Sequence, residues 1–346
     1  MKNYAVTIGI PVYNVEKYIR LTMDSALAQT FNDIEFLVID DCGTDSSIDF
    51  VREYQQTHPR GKDIRIIRQP YNKGIGQTRN RILDEAKGTY LYFMDADDTI
   101  EPDTIEKLWK TAEKNKVQVV MASYQRVEIF HDRPVMHDYI LPQKVFTDNN
   151  QFATFAFHRY GVINANIWNM LMDLAFIRKF GLRFVDTNFW EDLVFKYELA
   201  TYASHVILLS DITYHYNCHE HSLSNFQYRE KISKEEILQN VVTIETLKKD
   251  YKRLLKKSYF SLWLTFVLDT DFYMICNILK KRQMIYPVFS DVEIQSILYS
   301  PLTLMQTVYY GNIKCCIYKL LTLLPARLMS IVIYFVGKIR FFSKII

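Results

Sequence analysis

The first 125 residues alternate short apolar segments with segments of helical periodicity, and this alternation constrains the fold more than any other feature. The segment IEFLVI, residues 34–39, is interrupted only by Glu35, as expected for a parallel strand buried on both faces. The alternation predicts parallel βαβ units in a doubly wound α/β sheet. Further strands are predicted at 4–10, 64–67, 90–94 and 117–122, with helices from about residue 14, after residue 45, over 76–86 and after residue 102.

Local signals also place the ends of elements and the larger divisions of the chain. Pro11 is expected to end the first strand, Asn14 to cap the next helix, and Pro102 to occupy the first turn of another. The periodicity becomes irregular from about residue 124 and helical again from about residue 231. We therefore predict three segments. They are 1–123 and 124–229, the two halves of an α/β domain, and 230–346, a helical extension.

Polar clusters follow three of the predicted strands. PVYN follows the first strand, DDCGTDSS ends the second, and DADD follows the fourth. Because ligands of doubly wound sheets bind beyond the carboxyl ends of the strands, we expect the clusters to share one rim. The side chains concerned are Tyr13, Asp40, Asp41, Asp95, Asp97 and Asp98. Carboxylates this close repel one another unless a cation, an arginine or water lies among them.

The segment DADD, residues 95–98, is open to three interpretations. Carboxylates at positions i and i+2 of a turn can converge on Mg²⁺ or Mn²⁺, which often bind one or two carboxylates together with phosphate oxygens. A solvated acidic turn is the plainer alternative. DADDT also resembles the haloacid-dehalogenase-type phosphatases, with Asp95 as nucleophile and Asp97 as acid/base. The downstream GDxxxD-type pair of those enzymes is missing from this sequence.

Two further segments could contact a nucleotide. The first is DDCGTDSS, residues 40–47. An ionised aspartate is only an acceptor, so a carboxylate at this strand end could accept the imide N–H of uracil. NKGIGQTRN, residues 72–80, has two glycines but not the third of a dinucleotide fingerprint. Arg79 in this segment could neutralise carboxylates or a diphosphate; a surface position is the alternative.

Together these segments resemble the family 2 glycosyltransferases, in the same order and at the same spacing. The resemblance rests on IPVYN at 10–14, VIDDCGTDSS at 38–47, NKGIGQTRNRIL at 72–83, FMDADDTIEPD at 93–103, IWNMLMDLAFIRKFGLRF at 167–184 and NFWEDLVFKYEL at 188–199. It implies a GT-A fold, with a Rossmann-like mixed sheet, a nucleotide-sugar donor and inversion at the anomeric carbon. The segment 1–123 would bind the nucleotide-sugar, and the segment 124–229 would bind the acceptor.

The resemblance implies a nucleotide site on the first segment. Pro11 and Tyr13 are expected at the base, and Asp41 would hold the uracil imide. Arg79 matches the arginine on the nucleotide side in this family.

It also implies a metal site and a general base. Asp95 and Asp97 would form the DxD pair that binds Mn²⁺ or Mg²⁺; Asp97 would be the firmer ligand, and Asp95 would reach the metal or the ribose. Asp98 would support this pair or contact the bound substrate. Asp192 matches the general base that removes the acceptor proton, and Glu191 is the rival candidate.

Some positions depart from the family pattern. DDCGT stands where DDGST is usual, and Met170 replaces the lysine of WNKL, which puts a ligand contact there in doubt. Asn217 stands where relatives often carry an arginine. His215, His219 and His221 nearby could bind a metal or a diphosphate; a solvated loop is the alternative.

Charge and cysteine usage exclude some function classes. Residues 301–346 contain six basic residues and no acidic one, although the net charge of the whole chain is only +3. Residues 1–300 therefore carry a small net negative charge and do not look like a nucleic-acid-binding domain. Residues 301–346 could lie on an anionic membrane or pack as a helix pair. Its uncharged run 328–337 is too short to span a bilayer. Five scattered cysteines and no signal peptide favour a reducing cytoplasm.

We therefore expect an inverting, metal-dependent glycosyltransferase that moves a hexose or N-acetylhexosamine from a UDP-sugar. The acceptor would be a hydroxyl of a growing, lipid-linked surface glycan of capsule, exopolysaccharide or lipopolysaccharide type. The enzyme would lie on the cytoplasmic face of the inner membrane, with peripheral contact through residues 301–346. A non-catalytic scaffold that retains the fold is the alternative from a different class. The sugar, the linkage and the oligomeric state stay open.

Overall fold

A computed structural model describes residues 3–130, 133–158, 166–188, 190–219 and 231–337. The chain forms two compact units. The first comprises residues 1–149 and 165–225, and the second comprises residues 150–164 and 226–346. The first unit is α/β and the second is mainly helical. The predicted boundary at residue 123 falls inside one strand of the first unit, and the predicted roles of the two halves stay predictions.

The first unit is built on one mixed sheet with strand order β3-β2-β1-β4-β9-β6-β10-β5. Strands β1, β2, β3 and β4 are mutually parallel, whereas β9 is antiparallel to both β4 and β6. The elements up to residue 115 are β1 (Tyr4–Val12), α1 (Ile19–Leu27), β2 (Ile34–Asp40), α2 (Ser47–Thr57), β3 (Ile64–Arg68), α3 (Ile75–Glu85), β4 (Gly88–Phe93), β5 (Thr99–Ile100) and α4 (Thr104–Asn115). The predicted α/β sheet is thus confirmed.

The rest of the first unit completes the sheet. Its elements are β6 (Val119–Phe130), β7 (Arg133–Tyr139), β8 (Lys144–Phe146), β9 (Met170–Asp173), α6 (Leu174–Lys179), α7 (Glu191–Tyr202) and β10 (Val206–Cys218). Strand β7 pairs with β6, and β8 pairs with β10. Helix α7 is buried around most of its circumference.

The charged residue in the apolar strand β2 is satisfied inside the core. All seven residues of β2 are buried, Glu35 included. The Glu35 carboxylate accepts hydrogen bonds from Thr7 Oγ1 at 2.6 Å and from the backbone N–H of Lys87 at 2.9 Å. It also pairs with Arg65 Nε at 2.9 Å. Because a buried charge is costly only when it is unpaired, Glu35 does not disturb the strand.

Three predicted element ends are wrong. Strand β1 continues through Pro11 to Val12, because its pairing with β2 extends to Val12 while its pairing with β4 already ends at Gly9, before the missing donor of Pro11. Asn14 does not cap α1, which begins only at Ile19. Its backbone is left-handed with φ of 50°, and its side chain instead accepts the N–H of Thr44 at 2.7 Å. Pro102 lies before α4 rather than in its first turn.

The second unit contains helices of very different length. Its elements are α5 (Asn149–His158, whose first residue is assigned to the first unit), β11 (Ile232–Ser233), α8 (Lys234–Lys249), α9 (Tyr251–Leu254), α10 (Phe260–Lys280), β12 (Ile285–Tyr286), α11 (Asp291–Ile297), α12 (Leu304–Tyr310), α13 (Ile313–Leu321) and α14 (Ala326–Val336). In the described part of the chain, only α10 is long and apolar enough to cross a membrane.

The burial of α10 inside the protein explains its apolar composition. Two thirds of its most apolar window is buried inside the protein. Its two aspartates are also buried and paired: Asp269 accepts from Tyr318 Oη at 2.5 Å and pairs with Lys314 at 2.7 Å. Asp271 pairs with Lys248 at 2.5 Å. These contacts identify α10 as the core helix of the second unit.

Candidate active site

The three polar clusters of the sequence lie at neighbouring strand ends. In the parallel register, Val12 of β1 is beside Asp40 of β2, and Gly9 of β1 is beside Phe93 of β4. The residues that follow, Tyr13, Asp41 and Asp95, therefore leave the sheet along one rim. The geometry agrees with the expectation drawn from strand alternation.

Asp41 organises the loop between β3 and α3. Its buried carboxylate accepts Gln69 Nε2 at 2.8 Å and the backbone N–H groups of Lys73 at 2.8 Å and Gly74 at 2.9 Å. Tyr13, in contrast, is 47% exposed and has a free ring surface for contact. Pro11 is buried inside β1. Tyr13 is thus the most exposed of the residues predicted around a nucleotide base.

The two glycines of NKGIG bring α3 close to the chain that precedes α7. Gly74 has φ of 81°, and a Cβ there would lie 2.0 Å from Asn188 Oδ1. A Cβ at Gly76 would lie 2.5 Å from the carbonyl oxygen of Val185. Side chains at these positions would push the two segments apart. The glycines therefore explain how Arg79, on α3, comes within reach of α7.

Arg79 joins the rim to α7. Its Nη2 lies 2.9 Å from Asp95 Oδ1 and its Nη1 lies 2.6 Å from Glu191 Oε1, and all but a small part of the guanidinium is buried. Burial opposes its charge, yet Asp95 and Glu191 outweigh that effect and hold the pKa of Arg79 above its ordinary value. Its Nε is buried and has no partner within the described residues. The sequence alone left a surface position open, and the structure excludes it.

Asp95 and Asp97 both remain partly open to solvent, with side chains 26% and 22% exposed. Asp97 Oδ2 lies 2.7 Å from His219 Nε2. The His219 ring stacks on Tyr18 with centroids 4.2 Å apart. Burial, reinforced by the charge of Asp97, raises the pKa of Asp95 against the opposing charge of Arg79.

Asp98 occupies a different environment. It is fully buried and accepts Tyr214 Oη at 2.6 Å and the backbone N–H of Asn217 at 2.8 Å. Burial and the nearby Asp97 raise its pKa well above the ordinary value. Tyr214 Oη also accepts a hydrogen bond from the backbone N–H of Asp95 at 3.2 Å. Asp98 and Tyr214 thus fix the turn that presents Asp95 and Asp97, and Asp98 itself has no surface for a ligand.

The WNML segment, residues 168–171, supports this turn by packing against Tyr214. The Trp168 ring stacks on Tyr214 with centroids 4.3 Å apart. Asn169 donates to two carbonyls of β6 and accepts hydroxyls of Tyr92 at 3.1 Å and Thr213 at 2.7 Å. Met170 is buried in β9 and pairs with Met121. This segment is therefore structural, and position 170 offers no ligand contact.

The two candidate bases begin helix α7. Glu191 is buried, and its Oε1 is engaged by Arg79. Burial, with the neighbouring Asp192, raises the pKa of Glu191 to about 7 against the charge of Arg79. Asp192 is more exposed than Glu191, and its Oδ1 accepts the backbone N–H of Leu193 at 2.7 Å. Asp192 is therefore the more accessible carboxylate of the two.

Rim carboxylates could hold a divalent cation. Within the described residues, no three His, Cys, Asp or Glu side chains converge as a complete metal site. Mg²⁺ and Mn²⁺ commonly take only one or two protein carboxylates and complete their shell with substrate phosphates and water. Asp95 and Asp97 supply oxygen donors at i and i+2, and both are accessible. Their chemistry fits a cation that a diphosphate would share.

The histidines predicted near the rim have separate environments. His219 reaches Asp97, whereas His215 lies 2.7 Å from Glu101. His221 lies outside the described residues. The sequence did not predict that Lys196, one turn after Asp192 on α7, is buried. Its i+4 spacing places it on the same helix face as Asp192 but does not indicate burial.

Comparison with known proteins places these observations in one family. A sequence model of glycosyl transferase family 2 matches residues 7–180, just over half of the chain. EpsH of Bacillus subtilis (strain 168) is 29% identical over 235 residues, which cover 67% of this chain and 66% of EpsH. Chondroitin synthase of Escherichia coli is 30% identical over 165 residues, which cover 48% of this chain and 23% of the synthase. The chain thus spans less than two thirds of the length of these relatives.

A solved structure shows the same fold. S. aureus TarS 1–349 in complex with UDP-GlcNAc superposes with a TM-score of 0.57 at 17% identity, covering 98% of this chain and 92% of that chain. This likeness concerns the fold, which is GT-A. Since the family match includes most of β1, the DADD turn and the WNML segment, the earlier resemblance is confirmed, and the chain belongs to glycosyl transferase family 2.

Proposed function

We propose that this protein is an inverting, metal-dependent glycosyltransferase that uses a UDP-sugar donor. It would transfer a hexose or N-acetylhexosamine to a hydroxyl of a growing, lipid-linked surface glycan. The observation that carries the proposal is the joint placement of a partly open carboxylate pair, Asp95 and Asp97, and the carboxylates of α7, linked through Arg79.

The donor would bind along the rim. The exposed ring of Tyr13 would pack on the base, and the carboxylate of Asp41 would accept the uracil imide beside its bonds to the 69–74 loop. TarS, which shares the fold, has been solved with UDP-GlcNAc, and this supports a uridine nucleotide. Asp95 and Asp97 would hold Mn²⁺ or Mg²⁺ against the diphosphate, where a cation offsets the charge that develops on the leaving group.

Proton removal is the second requirement of the reaction. Inversion needs a base on the face of the sugar opposite the leaving diphosphate, where it takes the proton of the acceptor hydroxyl as that oxygen attacks. Asp192 is our candidate because Glu191 is buried and committed to Arg79. Glu191 would then act through Arg79, holding the start of α7 at a fixed distance from the Asp95 turn.

The test is release of UDP with candidate donors and a glycan acceptor, with and without Mn²⁺. We expect Asp192→Asn to lower kcat at least about 100-fold with little change in donor affinity, whereas Asp97→Ala should abolish the response to Mn²⁺. Glu198→Gln, later on the same helix, is the control. A wild type that releases no UDP with any donor would favour the scaffold alternative, and release of inorganic phosphate without an acceptor would favour the phosphatase.

The protein would also contact the membrane through residues 301–346, on the cytoplasmic face of the inner membrane. The outward faces of α12, α13 and α14 are apolar. Their large apolar side chains that are exposed are Leu304, Met305, Val308, Tyr309, Ile313, Ile317, Leu320, Leu328, Ile331, Tyr334 and Phe335. The chain has no Asp or Glu after Glu293. Exposed apolar side chains near basic residues such as Lys319 and Arg327 suit an interfacial contact with anionic lipid.

Vesicle sedimentation tests this contact. We expect binding to vesicles that contain phosphatidylglycerol and weak binding to pure phosphatidylcholine. Met305→Glu with Ile313→Glu, at positions 85% and 82% exposed, should release the protein. Leu21→Glu, at an exposed position of the first unit, is the matched control. Equal sedimentation of both variants with anionic vesicles, or dimerisation lost in the double variant, would refute a lipid contact through this face.

A further inference from the structure

A row of three tyrosines crosses the sheet beside the candidate active site. In the strand register, Tyr124 of β6 lies opposite Tyr214 of β10 on one side and opposite Tyr139 of β7 on the other. Residues directly opposite one another in neighbouring strands project from the same face of a sheet. The three rings, called the tyrosine row below, therefore share one face. The proposed donor and metal contacts do not use Tyr124 or Tyr139.

The inner end of the tyrosine row contacts the DADD turn. Tyr214 is fully buried, and its hydroxyl donates to Asp98 at 2.6 Å and accepts the backbone N–H of Asp95 at 3.2 Å. The Trp168 ring stacks on Tyr214 and meets Tyr124 edge-on, with centroids 4.7 Å apart and planes at 86°. Trp168 thus covers the inner part of the row, which belongs to the hydrophobic core.

The outer end of the tyrosine row is open to solvent. The Tyr139 ring stacks on Tyr124, with centroids 4.7 Å apart and planes within 4° of parallel. Tyr139 is nevertheless 40% exposed. Because Tyr124 covers one face of the Tyr139 ring, the exposed area lies mainly on the opposite face and the ring edge. The spacing of strands places this ring about 10 Å across the sheet from Tyr214, a distance that a short oligosaccharide can span.

Polar side chains border the exposed ring. Arg126 follows Tyr124 on the same face of β6. It pairs with Glu128 at 2.6 Å, and 40% of each of these two side chains is exposed. A guanidinium donates hydrogen bonds and a carboxylate accepts them, so both can bind sugar hydroxyls. A pyranose has C–H bonds on its faces and hydroxyls around its edge, so an aromatic ring bordered by polar groups is complementary to it.

We infer that Tyr139 stacks on a pyranose residue of the acceptor glycan, while Arg126 and Glu128 bind its hydroxyls. This inference rests on the proposed function, which places the attacking sugar near the DADD turn. The sugars that precede the attacking one would then lie along the exposed end of the tyrosine row. Tyr139 contacts the acceptor and not the donor, so it contributes to acceptor affinity and leaves UDP binding unaffected.

Saturation-transfer NMR tests this contact without turnover, with linear tetrasaccharides of glucose, galactose and N-acetylglucosamine as probes. We expect at least one of them to bind the wild type with a Kd on the order of 1 mM. Tyr139→Ala should weaken that binding about 3- to 10-fold, the equivalent of one aromatic contact. Tyr139→Phe keeps the ring and should bind within about 2-fold of the wild type. Met136→Ala is the matched control, since Met136 is 56% exposed on the opposite face of β7.

Tyr139→Leu is a second variant, in case Tyr139→Ala does not fold. It keeps an apolar side chain without the aromatic face, so it should also weaken binding. The inference is overturned if no tetrasaccharide binds the folded wild type, or if every folded Tyr139 variant binds as the wild type does. A Tyr139→Ala variant that changes the oligomeric state would assign this surface to a protein partner and also overturn it. Glycan binding that depends on Tyr139, without UDP release from any donor, would support the contact and contradict the proposed function.

Discussion

The bridge formed by Arg79 makes a strong prediction about stability. Its guanidinium is 2.9 Å from Asp95 and 2.6 Å from Glu191, and it is almost fully buried. Removing one partner of a buried ion pair usually costs about 3–5 kcal/mol, because a buried charge is left without a partner. We expect Arg79→Met to lower the free energy of unfolding by about this amount at pH 8.

The loss of unfolding free energy in Arg79→Met should depend on pH, and the direction of this dependence follows from the pKa of Glu191. The pKa of Glu191 is raised to about 7 from the ordinary 4.5, so the folded protein binds this proton more tightly than the unfolded chain does. Stability from this group is greatest below pH 4.5 and declines as pH rises toward 7. Without Arg79 the pKa rises further. At pH 5.5 a protonated Glu191 needs no counter-charge, so the loss should shrink to about 1–2 kcal/mol.

Urea unfolding followed by tryptophan fluorescence measures both values. Trp109, Trp168 and Trp190 lie in the first unit, and Trp263 lies in the second. Arg81→Met is the matched control, since Arg81 is half exposed on the same helix and pairs with Glu85 at 2.8 Å. The control should change stability by less than about 0.5 kcal/mol. If Arg79→Met loses the same free energy at pH 5.5 and pH 8, or no more than the control, the electrostatic argument fails.

Three further predictions concern other parts of the structure. Gly76→Ala should cost about 1–3 kcal/mol and slow turnover, because its Cβ would meet the Val185 carbonyl at 2.5 Å; thermal melting of Gly181→Ala, where no atom lies within 4 Å, should show only the cost of a side chain at φ of 62°, about 1 kcal/mol, with turnover unchanged. Asn169→Ala should cost about 2–4 kcal/mol in urea unfolding, because four buried partners lose their hydrogen bonds; a loss below about 1 kcal/mol would show that the partners find replacements. Burial raises the pKa of Asp271 to about 7, so its stabilising contribution declines as pH rises from about 4 to 7; Lys248→Met with Asp271→Leu should flatten that part of the pH–stability profile, and an unchanged slope would contradict this.

The sequence predicts the first hundred residues well, for identifiable reasons. Parallel strands buried on both faces need continuous apolar runs, and β2 is such a run. Strand ends then place Asp41, Asp95 and Asp97 along one rim without further information. The element ends were less predictable, because Asn14 adopts a left-handed backbone and bonds to Thr44 across the rim instead of capping α1.

Contacts between distant segments could not be predicted. Arg79 and Glu191 are 112 positions apart, and Asp97 and His219 are 122 apart. Nothing local to Arg79 distinguishes a bridge between two buried carboxylates from a surface residue. The role of Asn169 depends likewise on β4, β6 and β10 meeting around it. Such contacts are properties of the tertiary fold, and one sequence does not encode them in any local pattern.

The central claim is that the Asp95–Asp97 rim binds a nucleotide-sugar, and a thermal-shift scan with Mn²⁺ tests it most directly. UDP-, GDP-, CDP- and dTDP-sugars would be compared on the wild type, on Asp97→Ala and on the exposed control Asp103→Ala. A donor at 100 times its Kd stabilises by about 2.7 kcal/mol, a shift of several degrees. We predict that one UDP-sugar stabilises the wild type and the control but not Asp97→Ala. If no nucleotide-sugar stabilises the folded wild type, or if Asp97→Ala responds as the wild type does, the claim is contradicted.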